Sequence, residues 1–211
     1  LPVSLEIDGR SSTKQREFSY DAPTICGVEP SVLETRGGTE ISICGTNMGP
    51  EAKPGSKKPK PPKEIVVRVG DAECTDIVLH SSTELTCKAP AGVGTNLAVT
   101  IEIDGLKSDK STTSVSYLPP KILSIKPKVA ATGDEITLNG LHFGKDNSEL
   151  EVDFNGESSS DECKIVNDET ITCKVPPGVG AFVPISVRVA KQSNTVVSNA
   201  FSYALPEVEI V

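Results

Sequence analysis

The chain has 211 residues, 36% hydrophobic and 4% aromatic with no Trp, enough for modest cores in one or two domains but not for one large core. Its formal net charge of −8 argues against nucleic-acid binding, because a phosphate backbone selects for basic faces. No run approaches the roughly 18 apolar residues of a membrane-spanning helix, and no leader pattern stands at Leu1.

Taken in chain order, the predicted elements are all short strands. SLEIDGRSSTKQREFSY (4–20) reads as a hairpin, with Asp8-Gly9 where a tight turn needs positive φ. EISI (40–43), IVVRV (65–69) and LAVTIEI (97–103) follow, the last ending in a second Asp-Gly turn at Asp104-Gly105. ITL (136–138), ELEVDF (149–154) and ISVRV (185–189) complete the series. These segments alternate or run apolar, which sets one face on a core and the other in water. Val, Ile and Thr favour strands. Gly and Pro recur as turn signals about every eight to twelve residues, the spacing of a β-sandwich. No helical period is present.

The elements repeat. TCKAPAGVG (86–94) returns as TCKVPPGVG (172–180), GGTEISICGTNMG (37–49) as TGDEITLNGLHFG (132–144), and VTIEIDG (99–105) as ISVRVAK (185–191). PTICGVEP (23–30) matches PKILSIKP (120–127) and, truncated, PEVEIV (206–211). FSYDAP (18–23), VSYLPP (115–120) and FSYALP (201–206) match one another. The divisions are 1–22 as the closing strands of a preceding repeat, full units at 23–119 and 120–205, and 206–211 as the start of a following one. The offset changes from 95 to 86 residues between the Gly motif and the Cys-Pro phrase. Loops absorb such insertions because closure entropy grows slowly with length. The repeated phrase reads as a strand end plus a turn, and no helix follows it to make an anion cradle.

P-x-I-x-x-I-x-P, then G-G-T-x-I-x-I-x-G-x-N-x-G, then C-x(n)-T-C-x-x-P-x-G-x-G, then F-S-Y-x-x-P, resembles the IPT/TIG domain over essentially the whole chain. The second unit departs at Thr132-Gly133-Asp134, where Gly-Gly-Thr is expected, and lacks counterparts of Cys26 and Cys44. The resemblance implies an all-β chain of tandem immunoglobulin-like sandwiches in a linear array. The links Tyr117-Leu-Pro-Pro120 and Tyr203-Ala-Leu-Pro206 are too short and proline-stiffened for a flexible tether. A semi-rigid rod is expected, each unit adding ~35–45 Å.

Six cysteines occur, none in a CxxC, with two histidines, so zinc-ligand spacing is absent. An even count in a β chain points to disulfides and an oxidising compartment. The resemblance supports Cys74–Cys87 and Cys163–Cys173 as local bridges, which leaves Cys26 with Cys44; buried free thiols are the alternative. GPEAKPGSKKPKPPKE (49–64) carries Lys53, Lys57, Lys58, Lys60 and Lys63 among five prolines. It reads as a solvated polyproline-like loop or as a basic arm for an acidic protein or glycan. His80 and His142 read as surface or packing residues, and Asp161-Glu162 and Asp168-Glu169 as solvated loop charge without calcium-ligand spacing. No Ser/His/Asp or Cys/His set recurs in both units, so no catalytic residue, metal or cofactor is expected. No N-x-Ser/Thr sequon occurs.

The expected function is that of an extracellular or cell-surface structural or adhesion protein, a non-enzymatic spacer or filament component. Its partners would be neighbouring repeats and other protein subunits, with no nucleic acid and no membrane insertion. The alternative is an accessory region of a secreted carbohydrate-active enzyme or of a plexin-like ligand receptor.

Overall fold

A computed structural model describes residues 19–50, 61–109, 113–147, 149–194 and 197–205, with short pieces at 2–3, 6–8, 10–11 and 16–17. In the first pieces β1 (Pro2–Val3) pairs with β4 (Arg16–Glu17), and β2 (Glu6–Ile7) with β3 (Arg10–Ser11). The first sandwich then comprises β5 (Thr24–Glu29), β6 (Val32–Leu33), β7 (Glu40–Thr46), β8 (Ile65–Val69), β9 (Ala72–Glu73), β10 (Thr75–Leu79), β11 (Glu84–Lys88), β12 (Leu97–Ile103), β13 (Leu106–Lys107) and β14 (Ser114–Tyr117). One sheet runs β10-β11-β7-β5; the other runs β6-β14-β12-β8-β9, with β13 on β12.

The second sandwich repeats this plan. It comprises β15 (Lys121–Lys126), β16 (Val129–Ala130), β17 (Glu135–Leu141), β18 (Leu150–Phe154), β19 (Glu157–Ser158), β20 (Cys163–Asn167), β21 (Thr170–Lys174), β22 (Val183–Val189), β23 (Gln192–Ser193) and β24 (Val197–Tyr203). Its sheets run β15-β17-β21-β20 and β16-β24-β22-β18-β19, with β23 on β22. A 3-10 turn at Ser160–Glu162 is the one helical element among the described residues. In each unit the chain changes sheets between its first two strands, at a cis peptide bond before Pro30 or Pro127.

Two separate hydrophobic cores result. In β7, Ile41 and Ile43 point inward while Glu40 and Cys44 are exposed, and in β17 Ile136 and Leu138 do the same. The second core places Phe143, Phe154 and Phe201 where the first has Met48, Val69 and Val115. Phe154 and Phe201 meet edge to face, 5.9 Å between centroids, the arrangement that ring quadrupoles favour.

Disulfides close Cys26–Cys44 and Cys163–Cys173, with Cα–Cα distances of 5.5 and 4.0 Å. The expected Cys74–Cys87 bridge is not formed, and both cysteines stand as buried thiols. Register supplies the physical reason. Cys163 lies directly opposite Cys173, whereas Thr75 faces Lys88, so Cys74 and Cys87 are diagonal neighbours. A hydrogen bond between the thiols eases ionisation at Cys74; that bond and burial push Cys87 well up.

The repeated phrase proves to be a lid over one end of each sandwich. Tyr117 Oη donates to the Pro90 carbonyl (2.8 Å), and Tyr203 Oη to that of Pro176 (3.1 Å). A Cβ on Gly92 would sit 2.8 Å from the Tyr117 ring, and Gly178 faces Tyr203 in the same way. Gly94 and Gly180 take φ of +106° and +124° and accept the N–H of Tyr117 and Tyr203. Only Gly94 and Gly180 need left-handed backbone; Gly92 and Gly178 are small because a ring lies on them. Gly92→Ala is therefore expected to cost about 1–3 kcal/mol by overpacking, read as a lowered denaturation midpoint.

Tyr117 also sets an alkaline limit. Burial, then the nearby Cys74, pushes its phenol from an ordinary 10.0 up to about 12. The unfolded chain ionises first, so stability is full below pH 10 and falls as pH rises from 10 to 12. The loss by pH 12 is ~2–3 kcal/mol, measurable in a pH series of urea melts. Tyr117→Phe flattens that fall.

Candidate functional site

The residues that bring function-bearing groups together lie where the two sandwiches meet. The loop after β6 is longer in the first unit than its counterpart after β16. Leu33 and Ala130 accept equivalent hydrogen bonds from Leu118 and Ala204, and Gly38 and Gly133 donate equivalent ones to Ala89 and Val175. Between these marks the first unit has four residues, Glu34-Thr35-Arg36-Gly37, and the second has two, Ala131-Thr132. The longer loop carries the side chains of the junction.

Asp168, on the β20–β21 turn, receives them. Thr35 Oγ1 donates to Asp168 Oδ1 at 2.6 Å, and the Gly144 N–H donates to the same oxygen at 2.9 Å. Arg36 Nε donates to Asp168 Oδ2 at 3.1 Å, and its Nη2 reaches Glu169 Oε1. These bonds, Asp168 first, raise the Arg36 pKa above its ordinary value. Arg36 is half exposed and Asp168 is largely covered, so the shielded part of the clamp is the Thr35–Asp168–Gly144 set. His142 Nδ1 lies 3.3 Å from Thr35 Oγ1 and 3.5 Å from Glu34 Oε2. His142 has φ +62° at the place where the first unit has Asn47, φ +57°.

The other side of the junction is built by the phrase and a hairpin. Val93 packs against the second core. Gly144 must be glycine there: its Cβ would fall 2.5 Å from Val93 Cγ1. The turn at Ala190-Lys191, in left-handed backbone like Asp104-Gly105, sets Ala190 against Gly94. Gln192 then spans the gap. Its Nε2 donates to the Tyr117 carbonyl (2.8 Å) and its Oε1 accepts the Gly94 N–H (3.2 Å). Tyr117, the start of the link to the second unit, is thereby tied to the unit that follows it.

One expectation changes: Asp168-Glu169 are not solvated loop charge but the acceptors of an inter-unit clamp. His142, expected as a surface or packing residue, packs in the same joint. Asp161 and Glu162 lie exposed in the 3-10 turn, with Glu162 3.5 Å from Lys174 Nζ. His80 donates to or accepts from Thr86 Oγ1 at 2.9 Å on the first sheet's surface. Of the basic loop, Lys53, Lys57, Lys58 and Lys60 lie outside the described residues. Lys63 is exposed, and its N–H, with that of Glu64, donates to Asp104 Oδ1. This holds the loop's end on the Asp-Gly turn. Among the described residues no group of three or more His, Cys, Asp and Glu could hold a metal. An open cleft of about 410 Å³ at the junction is lined by Arg36, Lys145, Val166, Asn167, Asp168 and Glu169. Of its charges, Arg36, Asp168 and Glu169 are engaged in the clamp, a structural arrangement.

The IPT/TIG family model matches residues 23–118 and again 120–203. The chain belongs to the IPT/TIG family. Mouse plexin-A2 is 25% identical over 175 residues, covering 80% of this chain and 9% of the plexin. Human plexin-A2 is 25% identical over 167 residues, covering 76% and 8%. The chain thus spans less than a tenth of these relatives. Among solved structures, the surface glycan-binding protein PbSGBP-B of Prevotella bryantii superposes with a TM-score of 0.56 at 16% identity, over 88% of this chain and 43% of that one. At that identity the likeness is one of fold. No helix among the described residues is long and apolar enough to cross a membrane.

Proposed function

We propose that this IPT/TIG chain is part of an extracellular or cell-surface protein in which sandwiches stand end to end as a stiff spacer, an adhesion stalk or filament component. It works by protein–protein contact and not by chemistry. The observation that carries this reading is the joint itself: a buried Thr35 hydroxyl, a carboxylate with three donors and a glutamine spanning two backbone groups. A flexible tether has no use for such fittings; a spacer that must hold direction does. The plexin likeness favours a second reading, in which the chain is a segment of a receptor's extracellular region and presents a ligand-binding domain elsewhere.

Both readings place the chain in an oxidising compartment. A non-reducing peptide map of the native protein tests this. Two bridges, Cys26–Cys44 and Cys163–Cys173, are expected, with Cys74 and Cys87 as thiols. All six cysteines as free thiols would overturn the extracellular assignment.

A further inference from the structure

One sheet of each sandwich turns a charged outer face to solvent, and the sign of that face reverses between the units. In the first unit, β5, β7, β10 and β11 carry Glu29, Glu40, Asp76 and Glu84 against one lysine, Lys88. In the second, β15, β17, β20 and β21 carry Lys121, Lys126, Lys164 and Lys174 against one carboxylate, Glu135. All ten side chains are exposed, because the alternate positions of these strands fill the cores.

The reversal is made position by position. Across the first sheet one row runs Glu29, Ser42, Thr86, Val78, each facing the next. The same row of the second sheet runs Lys126, Thr137, Thr172, Lys164. The middle hydroxyls are kept, while a carboxylate and a valine at the ends become two lysines. Thr24, after Pro23, gives way to Lys121 after Pro120, and Glu84 to Thr170. Asp76 and Lys88 pair with each other at 2.7 Å, and Lys174 reaches Glu162 at 3.5 Å. Among the described residues no ion pair takes up Glu29, Glu40, Glu84, Lys121, Lys126 or Lys164. The joint uses the ends of the sandwiches, so both faces stay open in the joined chain.

We propose that the two faces dock on each other between copies, the acidic sheet of one chain against the basic sheet of a second. Both are four-stranded sheets of one fold, so they match in width, about 15–20 Å across at the usual strand spacing. Charge then chooses the pairing. Acidic on acidic and basic on basic repel, and only unlike faces attract. The formal charge of −8 gives two copies no general attraction, so association depends on these local fields. The interface is polar and smaller than a standard protein–protein contact, hence weak and screened by salt. This contact is lateral; it goes beyond the end-to-end spacer and does not depend on the joint.

Sedimentation equilibrium of residues 1–211 tests it. Self-association is expected at about 0.05 M salt, with an association constant about tenfold or more lower at about 0.5 M. Lys126→Glu with Lys164→Glu turns the basic face acidic; Glu29→Lys with Glu84→Lys turns the acidic face basic. Each double variant alone is expected to be monomeric at low salt. The two mixed are expected to associate one to one, as the native chain does with itself. All four positions are exposed, so the amide signals of both cores should be unchanged. A native chain that stays monomeric at low salt overturns the proposal; if deleting residues 51–60 then shifts the Glu84 amide signal, the chain's own Lys-rich segment is the occupant. Association of the Glu29→Lys, Glu84→Lys chain by itself also overturns it, because lowered net charge and not the paired faces would then be the cause. Neither result bears on the joint, which is tested by the relative orientation of the units.

Discussion

Replacing Asp168 by alanine is expected to leave both sandwiches folded and to release the angle between them. The side chain belongs to neither core. It accepts from the Thr35 hydroxyl, the Gly144 N–H and Arg36 Nε. Without it, Thr35, buried in the joint, loses its shortest partner and keeps only the 3.3 Å approach of His142. A buried polar group left unmatched costs about 1–3 kcal/mol, charged here to the joint. The Arg36–Glu169 pair is exposed on both sides and does not compensate, because such pairs are screened and cost side-chain entropy. Amide exchange at Gly144 should rise by about 10–100-fold, while exchange in β7 and β17 stays unchanged. Asp168→Asn, which keeps one acceptor, should fall between. An unchanged Gly144 rate would show that Val93 and Gln192 hold the joint without the carboxylate.

Removing the Cys163–Cys173 bridge is expected to produce the second large effect, centred on the second unit. The bridge links β20, a sheet-edge strand, to β21 across directly facing positions, with both cysteines buried. Closing a loop of separation 10 should contribute about 3 kcal/mol by restricting the unfolded chain. Cys163→Ala with Cys173→Ala should lower the second unit's unfolding free energy by that amount, read from its denaturation curve, and leave the first unit's amide signals in place. The β20–β21 turn carries Asp168, so the loss should also loosen the joint.

Much of the fold was legible because it is written twice. Inward positions such as Ile41/Ile43 and Ile136/Leu138 fall in the same alternation in both units, and period-2 burial is a local property of a strand. The junction was not legible, because it depends on which ends meet. Asp168-Glu169 look like any acidic turn. Their counterparts in the first unit, Ser82-Thr83, accept the equivalent N–H groups of Met48 and Gly45 and carry no charge. That contrast, with the slip in offset between Leu33/Ala130 and Gly38/Gly133, was in the sequence and marked the joint. The Cys74–Cys87 pairing was hard to judge for another reason: the register of β10 on β11 sets Thr75 against Lys88 and so leaves the two cysteines diagonal, and no spacing rule reveals a strand register.

The central claim is that the two sandwiches turn as one body. Residual dipolar couplings of the backbone amides in residues 23–118 and 120–203, measured on the same weakly aligned sample, test it most directly. The clamp predicts that one alignment tensor fits both units in the native chain and that Asp168→Ala splits it into two. Two independent tensors in the native chain would contradict the account.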